Sequence, residues 1–157
     1  MNVVLFDDKV IRENLLPFTY TRPVASIRVG ILTIAEKWEH YLEHTISYLT
    51  QDYLQYKFPI KTTTDNILIN GAVCPTDELV LAIRQLKKGE SLMSGETMLA
   101  ARSDDAYSLG TTRLTAKAFS GEVTLIDQPW RIFQQNGAQI RSDFERVTAG
   151  RKSRNID

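Results

Sequence analysis

Leu15–Thr33 reads LLPFTYTRPVASIRVGILT and follows closely on Asn2–Phe6, NVVLF. Together the two stretches decide the fold. Asn2–Phe6 is a short apolar run ending in Asp7-Asp8, the pattern of a buried strand that empties into a loop. A short loop then leads to Leu15-x-Pro17-x-Thr19-x-x-Arg22-Pro23. From Ile31 the apolar residues Ile31, Ile34, Ala35, Trp38, Tyr41, Leu42 and Thr45 recur at helical spacing, with Glu36, Lys37, Glu39, His40 and Glu43 opposite them. That spacing predicts an amphipathic helix with its charged face in water.

Working outward, Ile46–Leu49 reads as a short strand, and Thr50 as the cap of a brief helix through Lys57, stopped by Pro59. Asn66–Asn70, NILIN, is a second buried-type strand closed by Gly71. Thr76 is placed to cap a helix whose first turn carries Asp77 and Glu78, where the helix dipole favours anions. Leu79, Val80, Ile83 and Leu86 form its apolar stripe, and Lys87-Lys88-Gly89 closes it. Glu90–Met93, Thr97–Arg102 and Glu122–Ile126 are β-type runs. Pro129–Asn136 begins a helix, with Asp127 as its candidate cap. Strands alternating with helices predict an α/β fold of three layers around a mostly parallel sheet. Asn2–Phe6 and Asn66–Asn70 should be interior strands of that sheet. Residues 1–147 read as one domain, and 148–157, poor in apolar residues, as a linker or tail.

The bulk numbers narrow the function classes. With 157 residues, 43% hydrophobic and 24% charged, the chain has the composition of a globular domain. Formal net charge is zero, which gives no electrostatic case for a nucleic-acid partner. No run approaches ~18 uninterrupted apolar residues, so no membrane span is expected. MNVVLFDD lacks the basic start and apolar stretch of a secretory leader. The single cysteine, Cys74, excludes a disulfide within the chain and suits a reducing, cytoplasmic setting.

The segments RENLLPFTYTRPVASIRVGILTIAEKW, SYLTQDYL, NILINGAVCPTDELVLAI and PWRIFQQNGAQIRSDF resemble the sugar nucleotidyltransferase family. More narrowly, they are similar to the N-terminal domain of a bacteroidete-type group related to bifunctional N-acetylglucosamine-1-phosphate uridylyltransferases. The resemblance implies a Rossmann-like sheet and transfer of a nucleotidyl group from UTP or TTP to a sugar 1-phosphate, with Mg²⁺ and release of pyrophosphate. It also implies a C-terminal β-helix, often an acyltransferase, through which an oligomer would form.

Three departures bear on that activity. The family's Gly-x-Gly-Thr-Arg loop corresponds here to Asp7-Asp8-Lys9-Val10-Ile11-Arg12, which contains no glycine. Val24 stands after Pro23 where the family has lysine, and Ala72 stands where it has a metal-binding aspartate. Two readings therefore stay open: a nucleotidyltransferase with weak or lost activity, and a non-catalytic domain that binds nucleotide-sugar or serves as structural or regulatory partner to an acyltransferase.

The candidate site follows from the same residues. Arg22 and Arg28 are the anion-binding candidates, since guanidinium forks suit phosphate. Arg12 stands where the resemblance places a loop arginine, and Thr19 and Pro23 belong to the matching motif. Phe6, Gly71 and Gly30 end strands or precede a helix, where backbone can meet a ligand. Asp7 and Asp8 are candidate Mg²⁺ ligands, with Asp127 as a second source, although adjacent carboxylates are more often a solvated turn. His40 and His44 have i, i+4 spacing but no third ligand in sight, and Cys74 reads as a buried apolar residue.

Overall fold

The computed structural model describes residues 2–109 and 113–152. Within them six strands form one sheet: β1 Asn2–Phe6, β2 Ile46–Leu49, β3 Asn66–Asn70, β4 Glu90–Ser94, β5 Thr97–Ser103 and β6 Thr115–Ala118. Their order is β2-β1-β3-β5-β4-β6. β1 runs parallel to β2 and β3, β5 opposes β3 and β4, and β6 runs parallel to β4. The sheet is thus mostly parallel, with β5 as the reversed strand. β1 and β3 pair from Asn2 with Asn66 to Phe6 with Asn70, as interior neighbours. Every residue of β3 is buried, which explains why NILIN does not alternate with polar residues.

Five helices accompany the sheet: α1 Lys9–Asn14, α2 Ile34–Leu42, α3 Asp52–Gln55, α4 Asp77–Arg84 and α5 Pro129–Thr148. Val3, Leu5, Ile67 and Ile69 point to one face, where Ile34 and Trp38 of α2 and Leu79 and Ile83 of α4 complete the main core. The Trp38 indole N–H donates to the Val73 carbonyl at 2.8 Å, so the largest buried side chain keeps its polar atom satisfied. Val4, Phe6 and Leu68 point the other way, under a thin cover of Ala106, Ile60, Leu109 and Leu114. Both long core helices therefore share one face, and the third layer is thin. Among the described residues no helix is long and apolar enough to cross a membrane.

Several boundaries differ from the sequence reading, each for a local reason. α2 starts at Ile34 because Thr33 and Glu36 form a reciprocal capping box, and it ends at Glu43, whose φ is 55°. Ile31 and Thr45 consequently lie outside it. Thr50 does not cap α3; its hydroxyl donates to Asp7 instead, and Gln51 takes the cap position of a helix confined to Asp52–Gln55. Glu122–Ile126 is not a strand: it makes one isolated bridge, Leu125 with Val73, while Ile126 is buried in the main core. Asp127 is not the cap of α5, since Gln128 occupies that position. β6 was not legible, because Thr115–Ala118 is exposed throughout and its only apolar residues are two alanines. Residues 153–157, part of the expected tail, lie outside the described residues.

The largest correction concerns Lys37. Helical spacing sets it on the charged face, yet it is buried and pairs with buried Asp143 of α5. Asp143 also accepts from the N–H groups of Ile31 and Leu32 at 2.9 and 3.1 Å. Asn136 accepts the Gly30 N–H at 2.8 Å, and Arg146 reaches Asp77 at 2.9 Å while lying over the Tyr41 ring. At Gly30, φ is +87° and a Cβ would stand 2.6 Å from an Asp143 oxygen, so α5 can lie this close only over glycine. A helix continuing twelve residues beyond the predicted stretch is thus seated by these polar contacts and by Ile132, which packs against the main core.

Candidate functional site

The segment from Pro17 to Arg28 lies across the carboxyl ends of β1 and β3. One Asp7 carboxylate oxygen accepts the Val24 N–H at 2.8 Å and the other accepts the Thr50 hydroxyl at 2.5 Å. These bonds tie the short 3₁₀ turn Val24–Ser26 to the end of β1. Gly71 lets the turn approach β3, since a Cβ there would stand 3.2 Å from Ala25 and from the Phe6 carbonyl. The Gly71 N–H donates to that carbonyl at 2.8 Å. Phe6 and Gly71 therefore build the platform, with their facing backbone groups already paired.

Arg22 and Arg28 emerge from this segment into one pocket of about 380 Å³. Phe18 and Ile27 wall it from the loop side, and Ile132 and Phe133 close it from α5. Among the described residues Arg22 has no hydrogen-bond or ion-pair partner. Arg28 donates to the Ile31 carbonyl and pairs with Glu36 at 3.6 Å. Partial burial would raise the Glu36 carboxyl, but bonds from the Thr33 N–H and hydroxyl, with Arg28 and His40 nearby, outweigh it and hold it below the usual range. Arg22 also borders a second pocket of about 270 Å³ with Thr21, Ser26 and Lys57. The arrangement sets cations and hydroxyls beside apolar walls, which suits a ligand that is part phosphate and part ring.

The other predicted residues sit apart from that pocket. Arg12 is buried and donates to the Thr19 carbonyl at 3.0 Å and the Tyr53 hydroxyl at 2.7 Å. Thr19 is fully buried and donates to the Arg12 carbonyl at 2.8 Å, so the two residues brace the loop. Pro23 is buried at the start of the turn, and Gly30 lies against α5. Asp8 caps α1 by accepting the Ile11 N–H at 3.0 Å. A further pocket of about 270 Å³ opens beside Phe6, Asp7 and Asp8 at the carboxyl edge of the sheet.

The metal reading can be tested on these contacts. Both Asp7 oxygens are engaged, Asp8 is a helix cap, and Asp127 faces Arg131 at 3.6 Å. Among the described residues no three His, Cys, Asp or Glu side chains gather as a metal site requires. Ala72 is fully buried, and the Asn70 amide beside it bonds to the Ala72 N–H and the Met98 carbonyl. The residues present do not fit a resident Mg²⁺. Cys74 is buried as expected, and burial pushes its thiol up to about 12.

Asp7 supplies a prediction with a defined sign. Burial raises its carboxyl above the ordinary 3.8, against the opposing pull of Thr50, Val24 and Arg12. Ionising it therefore costs more in the folded chain than in the unfolded one. The penalty is absent well below pH 3.8, grows as pH climbs toward the raised value, and is constant above it. Asp7→Asn keeps an acceptor for Val24 and should be at least as stable as the parent at neutral pH, the gap closing in acid. Asp7→Ala should lose about 1–3 kcal/mol through the orphaned Val24 N–H. Denaturant melts at acid and neutral pH check both, and an Asn variant less stable at neutral pH than in acid, relative to parent, would reverse the sign.

Sequence reasoning missed the apolar walls of the arginine pocket. Phe18 and Phe133 are 51% and 83% exposed, and nothing in the sequence separates them from aromatics of the core. Lys57 had no signal either, because only the fold brings it beside Arg22.

The chain is similar in fold to a structure from Bacillus anthracis described as a glucose-1-phosphate thymidylyltransferase in complex with sucrose. The TM-score is 0.51 at 10% identity, over 89% of this chain and 95% of that one, a likeness of fold alone. No curated protein sequence matches the chain. The sequence model of the sugar nucleotidyl transferase family matches residues 3–152, and the chain belongs to that family.

Proposed function

We propose that this member of the family binds a nucleoside triphosphate or nucleotide-sugar in the pocket between Arg22 and Arg28, and that its nucleotidyl transfer is weak or lost. The carrying observation is that both arginines line one cavity with Phe18 and Phe133. UTP, TTP and their sugar nucleotides have the matching chemistry, with phosphates for the guanidinium groups and flat rings for the aromatic walls. In the full reaction a sugar 1-phosphate oxygen attacks the α-phosphorus, the α–β anhydride bond breaks and pyrophosphate leaves. Such chemistry rests on positioning and on neutralising phosphate charge.

Reduced transfer is supported by the segment after β1. The Ile11 N–H is spent on Asp8 and the Arg12 N–H on the Asp8 carbonyl, so this stretch does not offer those groups to a triphosphate. Asp7 and Asp8 already have structural partners, which makes them poor ligands for Mg²⁺. The same contacts favour a non-catalytic domain, and its partnership with an acyltransferase rests on the resemblance alone. The narrower kinship with uridylyltransferase-related proteins, and a cytoplasmic setting, belong to this proposal.

A thermal-shift series with UTP, TTP and UDP-N-acetylglucosamine tests binding. Ligand at about 100 times its Kd stabilises by about 2.7 kcal/mol. No shift with any of them would leave the structural reading. Pyrophosphate release from UTP or TTP with sugar 1-phosphates is expected near background, and robust turnover would refute the loss.

A further inference from the structure

α5 is amphipathic in an unusual sense, with polar residues turned toward the body. Asn136, Asp143 and Arg146 bond to the rest of the chain, while Trp130, Phe133, Ile140 and Phe144 are 57%, 83%, 41% and 59% exposed. Residues 130, 133, 137, 140 and 144 repeat at spacings of three and four, the seam by which one helix packs along another. We propose that this seam is a homodimer interface, in which α5 of a second copy packs antiparallel and crosses at Gly137.

Area, shape and charge support that occupant. With roughly 150–250 Å² per aromatic, the four side chains leave on the order of 500 Å² exposed per copy. Complete burial of these residues in both copies would remove up to about 1,000 Å², the level a specific interface should clear, and their neighbours on the seam add to it. A patch of this size matches the largest that a typical monomer carries, and such patches are often functional. Gly137 sits mid-seam, where glycine disfavours helix and a Cβ would meet only Arg141 at 3.9 Å. Its use there is close approach of another backbone. An antiparallel crossing at Gly137 sets Trp130 beside Phe144 of the second copy, and vice versa, as a two-fold interface requires. It also brings the Arg131 end to the Glu145 end and Arg141 toward Gln134, so like charges do not meet. The zero net charge adds no repulsion between copies.

Sedimentation equilibrium at tens of micromolar should give the parent twice the chain mass of 17.9 kDa. Ile140→Glu with Phe144→Glu should halve that mass without changing the far-ultraviolet circular dichroism. Neither substituted residue lines the arginine pocket, whereas Phe133 of the seam does, so the mass is read without nucleotide and independently of its binding. A monomeric parent, or a double variant that folds and stays dimeric, overturns the proposal. Should the double variant not fold, Gly137→Cys decides: oxidation should cross-link it, while Ser142→Cys, off the seam, should stay uncross-linked. The buried Cys74 gives no background. No cross-link at Gly137→Cys, or equal cross-linking at both positions, also overturns it.

Discussion

Asp143→Ala is expected to destabilise the chain by about 3–5 kcal/mol, a large part of the roughly 5–15 kcal/mol that holds a domain together. Three losses coincide. Lys37, 2% exposed, would keep a charge with no partner, and the N–H groups of Ile31 and Leu32 would lose their shared acceptor. The Gly30 turn, shaped to fit Asp143, would then face a void. At about 2–4 °C per kcal/mol for a chain of this size, the melting midpoint should fall by on the order of 10 °C. The pair itself is weak evidence for net stability, because burying two charges costs nearly what their attraction returns. Lys37→Met with Asp143→Asn removes both charges while keeping an acceptor for the two N–H groups, and should recover most of the loss. Thermal and denaturant melts of the three proteins decide the matter. A loss below about 1 kcal/mol for Asp143→Ala would mean the pair behaves like an exposed one.

That pair also shows where sequence reading stops. The strands Asn2–Phe6 and Asn66–Asn70 were legible because burial on both faces writes itself as an unbroken apolar run. Thr76 was legible because capping is decided within three residues. Lys37 was misplaced because helical periodicity reports which residues share a face, and it cannot report that a polar helix 106 positions later covers that face. The site divides in the same way. Charge and nearness to Pro23 single out Arg22 and Arg28, and the fold brings them to one cavity. The resemblance singles out Arg12 and the motif Thr19, yet their bonds to each other are what fold the motif's loop. Asp7 and Asp8 suggested a metal because carboxylates are read as ligands. Val24, Thr50 and Ile11 had claimed them first, through contacts of which two span 17 and 43 residues.

Replacing Arg22 and Arg28 together by alanine is expected to abolish nucleotide binding while leaving the fold intact. Each charge-assisted phosphate contact is worth about 1.5–3 kcal/mol. At about 1.4 kcal/mol per tenfold, losing both weakens binding by roughly 10²–10⁴-fold, which takes a micromolar site beyond detection. The two residues should not contribute alike. Arg22 is exposed and, among the described residues, has no competing partner, so its full charge is available. Arg28 must exchange Glu36 and the Ile31 carbonyl for phosphate, so its net gain is smaller. Arg22→Ala alone should therefore cost more affinity than Arg28→Ala. Stability should move the other way, by a few tenths of a kcal/mol, since only Arg28 gives up an exposed ion pair. Glu36→Gln separates the two roles further: freeing Arg28 from its carboxylate should tighten binding, whereas loss of a merely structural pair should leave it unchanged. Titrations of UTP, TTP and UDP-N-acetylglucosamine against the parent and the variants supply the measurement. Unchanged affinity in a folded double variant would move the ligand away from this pocket, with the cavity beside Phe6 and Asp8 at the carboxyl edge of the sheet as the next place to look.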